Sequence, residues 1–323
     1  MNPQEIQSVS ERCAIIISAF FNVILFLLTV TEKNSSLKSY RNLLLLNILT
    51  ESLFTLFIAL SQVTLQFLDG AFIAISNGPF KHLPYEYHCY IVSLYILGIG
   101  MSFITLPIDF IYRYLIVCRR TQVKLKYLII FTVLAYAWAL WDSYWITISF
   151  LTTPDVKETY GSLLSQDMWF EDGKQVTFLA ASFDTLSVKI FVLSAALIIF
   201  IVYLSVFIIG RHVFKELSSK RHTMSKKTME MQRGMNRMLI AQAIIPIFTG
   251  LLPLIVMLVS TSMRWKYQWT GFFTYFCICW LPTIGPICAI YFITSFRKRL
   301  FSIFSQQFKK TSVINSLHNI SSH

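Results

Sequence analysis

The residues of this chain that could do chemistry are few. Pro107-Ile108-Asp109-Phe110-Ile111-Tyr112-Arg113-Tyr114 places an acid one helical turn before a base. On a helix, an acid-first i,i+4 pair shares one face and can form an ion pair, whose release frees the guanidinium for another acceptor. The alternative is that Arg113 reaches up to phosphate headgroups while Asp109 neutralises it. Glu51 follows Asn47 by one turn inside an apolar run. A carboxyl there must face protein, with span 7 as the expected partner. A plain structural hydrogen bond would satisfy it as well as a state-dependent network. Asp142 is the third acid inside an apolar run.

Catalytic and metal chemistry is not supported. HExxH, GxSxG and Walker A motifs are absent, and the six histidines all lie outside the apolar runs. Cys277 and Cys279 lack a second ligand pair, so packing is the expected role and no metal or cofactor is expected. Span 7 holds no Lys for a retinal Schiff base. The expectation is a protein that is not an enzyme.

The elements that must position these residues follow from composition. Of 323 residues, 55% are hydrophobic and only 14% charged, against roughly a quarter charged in ordinary soluble domains. Runs of about 20 apolar residues suffice to cross a bilayer as helices. Seven are present, at about 13–30, 42–67, 90–111, 127–150, 188–209, 238–259 and 270–294. The predicted fold is an all-α membrane protein, a seven-transmembrane helix bundle forming a single domain over 1–323. Residues 296–323 are expected to form a cytoplasmic tail that begins with a short amphipathic helix around Phe296-Arg297-Lys298-Arg299.

Orientation follows from Lys and Arg. Lys33, Lys38 and Arg41 lie between spans 1 and 2, and Arg113, Arg119, Arg120, Lys124 and Lys126 after span 3. Eight more, from Arg211 to Arg237, separate spans 5 and 6, and Arg297, Lys298, Arg299, Lys309 and Lys310 follow span 7. These gather most of the 28 basic residues on one side, whereas the loop between spans 4 and 5 is acidic. The N-terminus is expected outside and the C-terminus inside, with the lipid bilayer as a partner. The net charge of +12 is thus spent at a membrane face, which argues against nucleic acid. Cys89 begins span 3, but no cysteine follows between spans 4 and 5 to pair with it.

Spans 6 and 7 carry Pro246 and Pro253, and Pro282 and Pro286. Each removes a backbone hydrogen bond and can bend its helix, which suits a conformational switch and also occurs in transporters. Before span 6, Met224, Met231, Met235 and Met238 recur at helical spacing, with Lys227 and Arg233 on other faces. Such a stripe could meet a partner groove or lie on anionic lipid.

In combination these pieces resemble the nematode serpentine chemoreceptors of the str superfamily, most nearly class delta. The resemblance rests on Asn22, Ser36-Leu37-Lys38-Ser39-Tyr40, Leu44-Leu45-Leu46-Asn47, Phe110-Ile111-Tyr112-Arg113-Tyr114, Met224-Ser225-Lys226-Lys227-Thr228, Gln242-Ala243-Ile244-Ile245-Pro246 and Leu281-Pro282-Thr283-Ile284-Gly285-Pro286. It implies a G-protein-coupled chemosensory, olfactory-type receptor in the plasma membrane, with the cilium of chemosensory neurons as its site. Its partners would be a small-molecule ligand and a heterotrimeric G protein. Tyr112-Arg113-Tyr114 stands where rhodopsin-like receptors have acid-Arg-Tyr, which makes Asp109 the candidate substitute acid. The coupling switch is expected at Asp109, Tyr112, Arg113, Tyr114, Lys227 and Arg233. The ligand is expected among the outer halves of spans 3, 5, 6 and 7, with Tyr95, Met101, Phe273 and Tyr275 at the right depth; an apolar aromatic pocket there would suit a volatile or lipid-like molecule. The alternative is a multi-pass transporter or channel subunit, although no internal repeat or chain of intramembrane charges is visible.

Overall fold

The computed structural model describes residues 3–32, 37, 39–119, 121, 123–153, 155–164, 169–171, 174–219, 226–265 and 269–302. Seven helices in it are long and apolar enough to cross a membrane. They are α1 (Pro3–Val30), α2 (Arg41–Ser61), α3 (Tyr85–Val117), α4 (Leu125–Leu151), α5 (Leu186–Ser219), α6 and α7. The sixth, α6, runs through Lys226–Pro246, a π-helical turn at Ile247–Leu251 and Leu252–Ser262. The seventh, α7, consists of Trp269–Ile278 and Leu281–Phe292. A further helical stretch, 294–302, follows it. The rest of the expected tail, 303–323, lies outside the described residues.

Helix α3 is the axis of the bundle, packed against α2, α4 and α5. Within the apolar window of each helix, 56% of α3 is buried but only 6% of α5. The fifth helix is therefore the least enclosed of the spans.

The second span ends earlier than its hydrophobic run suggests. Expected to reach Phe67, it stops at Ser61, where Gln62 adopts a left-handed backbone with φ of 40°. Val63–Leu68 is strand β1 instead, paired antiparallel with β2 (Ala71–Ser76). Asp69 and Gly70 make the turn with φ of 48° and 78°, the positive values that a two-residue hairpin needs. A small hairpin of β3 (Phe170–Glu171) and β4 (Lys174–Gln175) follows α4, and β5 (Leu179–Ser182) then adds to the free edge of β2.

Both faces of this sheet are buried, by the period-2 alternation of strands. Leu65, Phe67, Phe72, Ala74 and Leu179 face the helix bundle and join its core. Leu68, Ile73, Ile75, Phe178 and Ala180 face away, under Leu164 and Trp169 of the α4–α5 connection. The bundle is thus closed at one end by a two-sided apolar lid, here called the sheet end. Arg113 lies towards the opposite, arginine end.

Candidate functional site

Two cavities flank α3. The first is small, about 40 Å³, and lies between α2, α3, α6 and α7. Asn47, Glu51, Ser102, Asp109 and Gln242 bring their polar groups to it. The Asn47 amide nitrogen donates to both Asp109 carboxyl oxygens, at 3.0 Å and 2.9 Å. Ser102 donates to Glu51 Oε1 at 3.3 Å. Glu51 Oε2 and Gln242 Oε1 are buried with no hydrogen-bonding protein partner. Glu51 faces the helices as expected, but its bonded partner is on α3; it meets α7 only across Gly285, whose missing Cβ would stand 3.8 Å from Glu51 Oε1.

The expected ion pair between Asp109 and Arg113 is not formed. Asp109 turns to α2, whereas Arg113, 1% exposed, turns to α6. Arg113 Nη2 donates to the Gln232 backbone carbonyl at 2.8 Å and to its Oε1 at 3.3 Å. A backbone carbonyl and an amide oxygen replace the carboxylate because α6 crosses α3 there, while the Asn47 amide supplies Asp109 with two donors. The remaining guanidinium nitrogens, Nε and Nη1, are buried without a hydrogen-bonding protein partner. The Tyr40 hydroxyl lies 3.3 Å and 3.4 Å from the two ends of the Gln232 amide. Burial raises the Tyr40 phenol above its ordinary value, so the group keeps its proton and can donate.

The neighbours of Arg113 face different ways. Tyr112 donates to the Ser39 carbonyl at 2.8 Å, and Tyr114 meets His212 of α5 edge-on at 6.4 Å. Gln232 and Tyr40 were not singled out from the sequence; the only local signal was a glutamine on the buried face of an otherwise methionine-rich stripe.

On α6, Met231, Met235 and Met238 are buried in the bundle core, so the methionine stripe packs α6 home and is not a face offered to a partner. Arg233 is exposed. Met224 and the side chain of Lys227 lie outside the described residues. α6 is drawn close to α7: a Cβ on Gly234 would collide with the Phe292 carbonyl oxygen. The prolines mark the irregular points, since the π-helical turn begins directly after Pro246, and α7 is interrupted at Cys279-Trp280 just before Pro282. Pro253 and Pro286 lie within helical stretches beyond those breaks.

The second cavity, about 690 Å³, lies on the other side of α3, among α3, α4, α5 and α6 under the sheet. Its volume falls in the range of small-molecule sites. None of Tyr95, Met101, Phe273 and Tyr275 lines it. Tyr95 and Tyr275 are fully buried and stack on each other at 5.9 Å, with Tyr275 donating to Glu11. Met101 is buried in the core on the arginine side, and Phe273 is 51% exposed on the outer flank. Phe103 alone among the aromatic residues lines both cavities. Its ring fits over Gly250 in the π-helical turn, where a Cβ would come within 2.7 Å of Phe103 Cζ.

The whole chain has known counterparts. It is 23% identical over 303 residues to serpentine receptor class delta-18 of Caenorhabditis elegans, covering 91% of this chain and 87% of that protein. It is 25% identical over 314 residues to serpentine receptor class delta-19 of the same organism, covering 92% and 87%. Residues 7–301 match the family described as serpentine type 7TM GPCR chemoreceptor Str. A match of that extent, over seven membrane helices joined in this way, makes the chain a member of the Str family of serpentine chemoreceptors.

Proposed function

We propose that the chain is a chemosensory G-protein-coupled receptor that binds a small molecule among α3, α5 and α6 and activates a heterotrimeric G protein at the arginine end. The sheet end and the N-terminus are then extracellular and the basic arginine end cytoplasmic, in the plasma membrane of a chemosensory neuron and its cilium. The observation that carries the reading is the bond from Arg113 to the Gln232 carbonyl, which ties α3 to α6. A guanidinium has five donors, and two of the Arg113 nitrogens have no protein acceptor while α6 stays in place. Outward movement of α6 exposes all of them to the carbonyls of a cytoplasmic partner, with Arg233 and Lys227 at the rim. Asp109, held by Asn47, positions α3 against α2 and takes no direct part in that clamp.

In cells with a G-protein reporter and an activating ligand, Arg113→Ala should abolish signalling while surface expression stays normal. A surface-expressed variant that signals as strongly as wild type would overturn the reading. Antibody labelling of an N-terminal tag on unpermeabilised cells checks the orientation, and an inaccessible tag would reverse it.

A further inference from the structure

The larger cavity has a composition and an opening that together define what it accepts. Of its lining residues only Asp142 and Tyr203 carry polar side-chain groups; the rest are hydrocarbon or aromatic, apart from one glycine. Asp142 is 7% exposed, and its Oδ1 has no hydrogen-bonding protein partner. The Tyr203 hydroxyl is likewise buried and unpartnered. In a hydrocarbon setting each such group carries a cost that a matching ligand atom removes.

Access is sideways. The sheet end is closed by Leu65 and Phe72, both buried and backed by the second apolar layer of the lid. Among the described residues α5 and α6 share no extended packed interface, although α5 packs on α3 and α4. Five residues that line the cavity are at the same time exposed on the outer flank of the bundle: Ala196, Phe200, Leu204 and Phe207 of α5, and Ile255 of α6. That flank faces the hydrocarbon of a bilayer, whereas among the described residues the two that line the cavity from the sheet are buried.

We infer that this cavity takes a lipid-soluble, largely hydrocarbon alcohol that arrives from the bilayer between α5 and α6 and sets its hydroxyl against one of the two unpartnered polar groups, Asp142 or Tyr203. A hydroxyl donates to the carboxyl oxygen and accepts from the phenol, so one group can answer either unpartnered atom. A fatty acid fits less well, because its carboxylate would face the Asp142 carboxyl. A chain of hydrocarbon matches the remaining lining and partitions into the membrane before it binds. The inference names the ligand class for the receptor proposed above and rests on that reading for its meaning, but its test reads binding alone.

The test uses the full chain in phosphatidylcholine nanodiscs and a long-chain alcohol carrying a mid-chain diazirine, with cross-links mapped by mass spectrometry. Labelling should concentrate on the lining residues of α5 and α6 and be competed by the unlabelled alcohol more strongly than by the acid or amine of equal length. Ala195→Trp, which puts an indole into the cavity, should remove most of it, and Asp142→Leu should reduce affinity about tenfold or more, the effect of one hydrogen bond to a carboxylate. Leu204→Trp, at the gap, should slow labelling without lowering its plateau. Thermal unfolding of each variant near that of wild type shows that the fold is kept. Labelling indifferent to Ala195→Trp overturns the site, better competition by the acid or amine overturns the alcohol, and an unchanged rate in Leu204→Trp overturns the lateral route. A receptor that labels as expected but never activates a G protein keeps this site and loses the proposed function; one that signals to water-soluble compounds without being labelled loses only the site.

Discussion

The two sides of α3 are built on different principles. Towards α2 and α7 the helix is held by directional bonds, Asn47 to Asp109 and Ser102 to Glu51, around a cavity of about 40 Å³, and Tyr136 of α4 braces α2 and α3 through Thr50 and Thr105 at 2.6 Å and 3.0 Å. Towards α5 and α6 the helix borders a cavity of about 690 Å³ with only two polar lining side chains, and its directional bonds to α6 are those of Arg113 to Gln232 at the arginine end. A bonded interface has one geometry and resists change; a loosely filled apolar one can be repacked at small cost by whatever enters it. On the proposed function the two sides are an anchor and a sensor, and α6, which borders both cavities, is the element whose position both can bias.

The anchor side should show the largest response to a single change. Asn47→Leu strips the buried Asp109 carboxyl of the amide nitrogen that bonds both its oxygens. Leaving a buried carboxyl unsatisfied in this way costs about 3 kcal/mol, so the melting temperature in nanodiscs should fall by several degrees. Adding Asp109→Leu should recover most of the loss. If the double variant is no more stable than Asn47→Leu, the bond is not what holds the two helices.

Next in size is the contact that keeps α6 closed. Gly234→Val would place side-chain atoms against the Phe292 backbone carbonyl, which cannot rotate away, and overpacking of this kind costs about 1–3 kcal/mol. The relief is to move α6 off α7, so ligand-independent nucleotide exchange on a purified G protein should rise about tenfold, the ratio that corresponds to 1.4 kcal/mol. Exchange at the wild-type level, in a variant that folds, would separate the position of α6 from signalling. Gln232→Leu should act in the same direction but less. It removes the amide oxygen and leaves the backbone carbonyl bond to Arg113, a loss of about 1 kcal/mol and a rise in basal exchange of about fivefold.

How much of this was legible follows the range of each interaction along the chain. The seven membrane helices are visible because a long apolar run has few other solutions in a bilayer. The sheet was not read, because Val63–Leu68 continues the apolar run of α2 without a charge, and a short apolar stretch does not distinguish helix from strand. Asp69-Gly70 was the signal that could have separated them. For the site, spacing put Asp109 and Arg113 one helical turn apart. It could not say that Asn47 and Gln232, 62 and 119 residues away from them, would offer better partners. The direction that Tyr95, Met101, Phe273 and Tyr275 take around their helices depends on tertiary packing, and none turns to the larger cavity.

The smallest expected effect tests whether the two sides communicate at all. Phe103 lines both cavities, and its ring rests on Gly250 within the π-helical turn of α6. A ligand that fills the larger cavity meets one face of that ring, and any shift of the ring is passed to α6 at its least regular point, directly after Pro246. Gly250→Ala puts a methyl group 2.7 Å from Phe103 Cζ, the far end of a side chain that can rotate, so the fold should tolerate it at about 1 kcal/mol. Basal exchange should then stay within about twofold of wild type, because the Arg113 clamp and the Gly234 contact are untouched. The maximal ligand response should fall, because the ring is already displaced before the ligand arrives. Phe103→Leu in the same chain removes the clash and should restore part of that response. A response unchanged in Gly250→Ala would place the link between the two sides elsewhere along α6, and a rise in basal exchange instead would make Phe103 part of the closing contact and not of the relay.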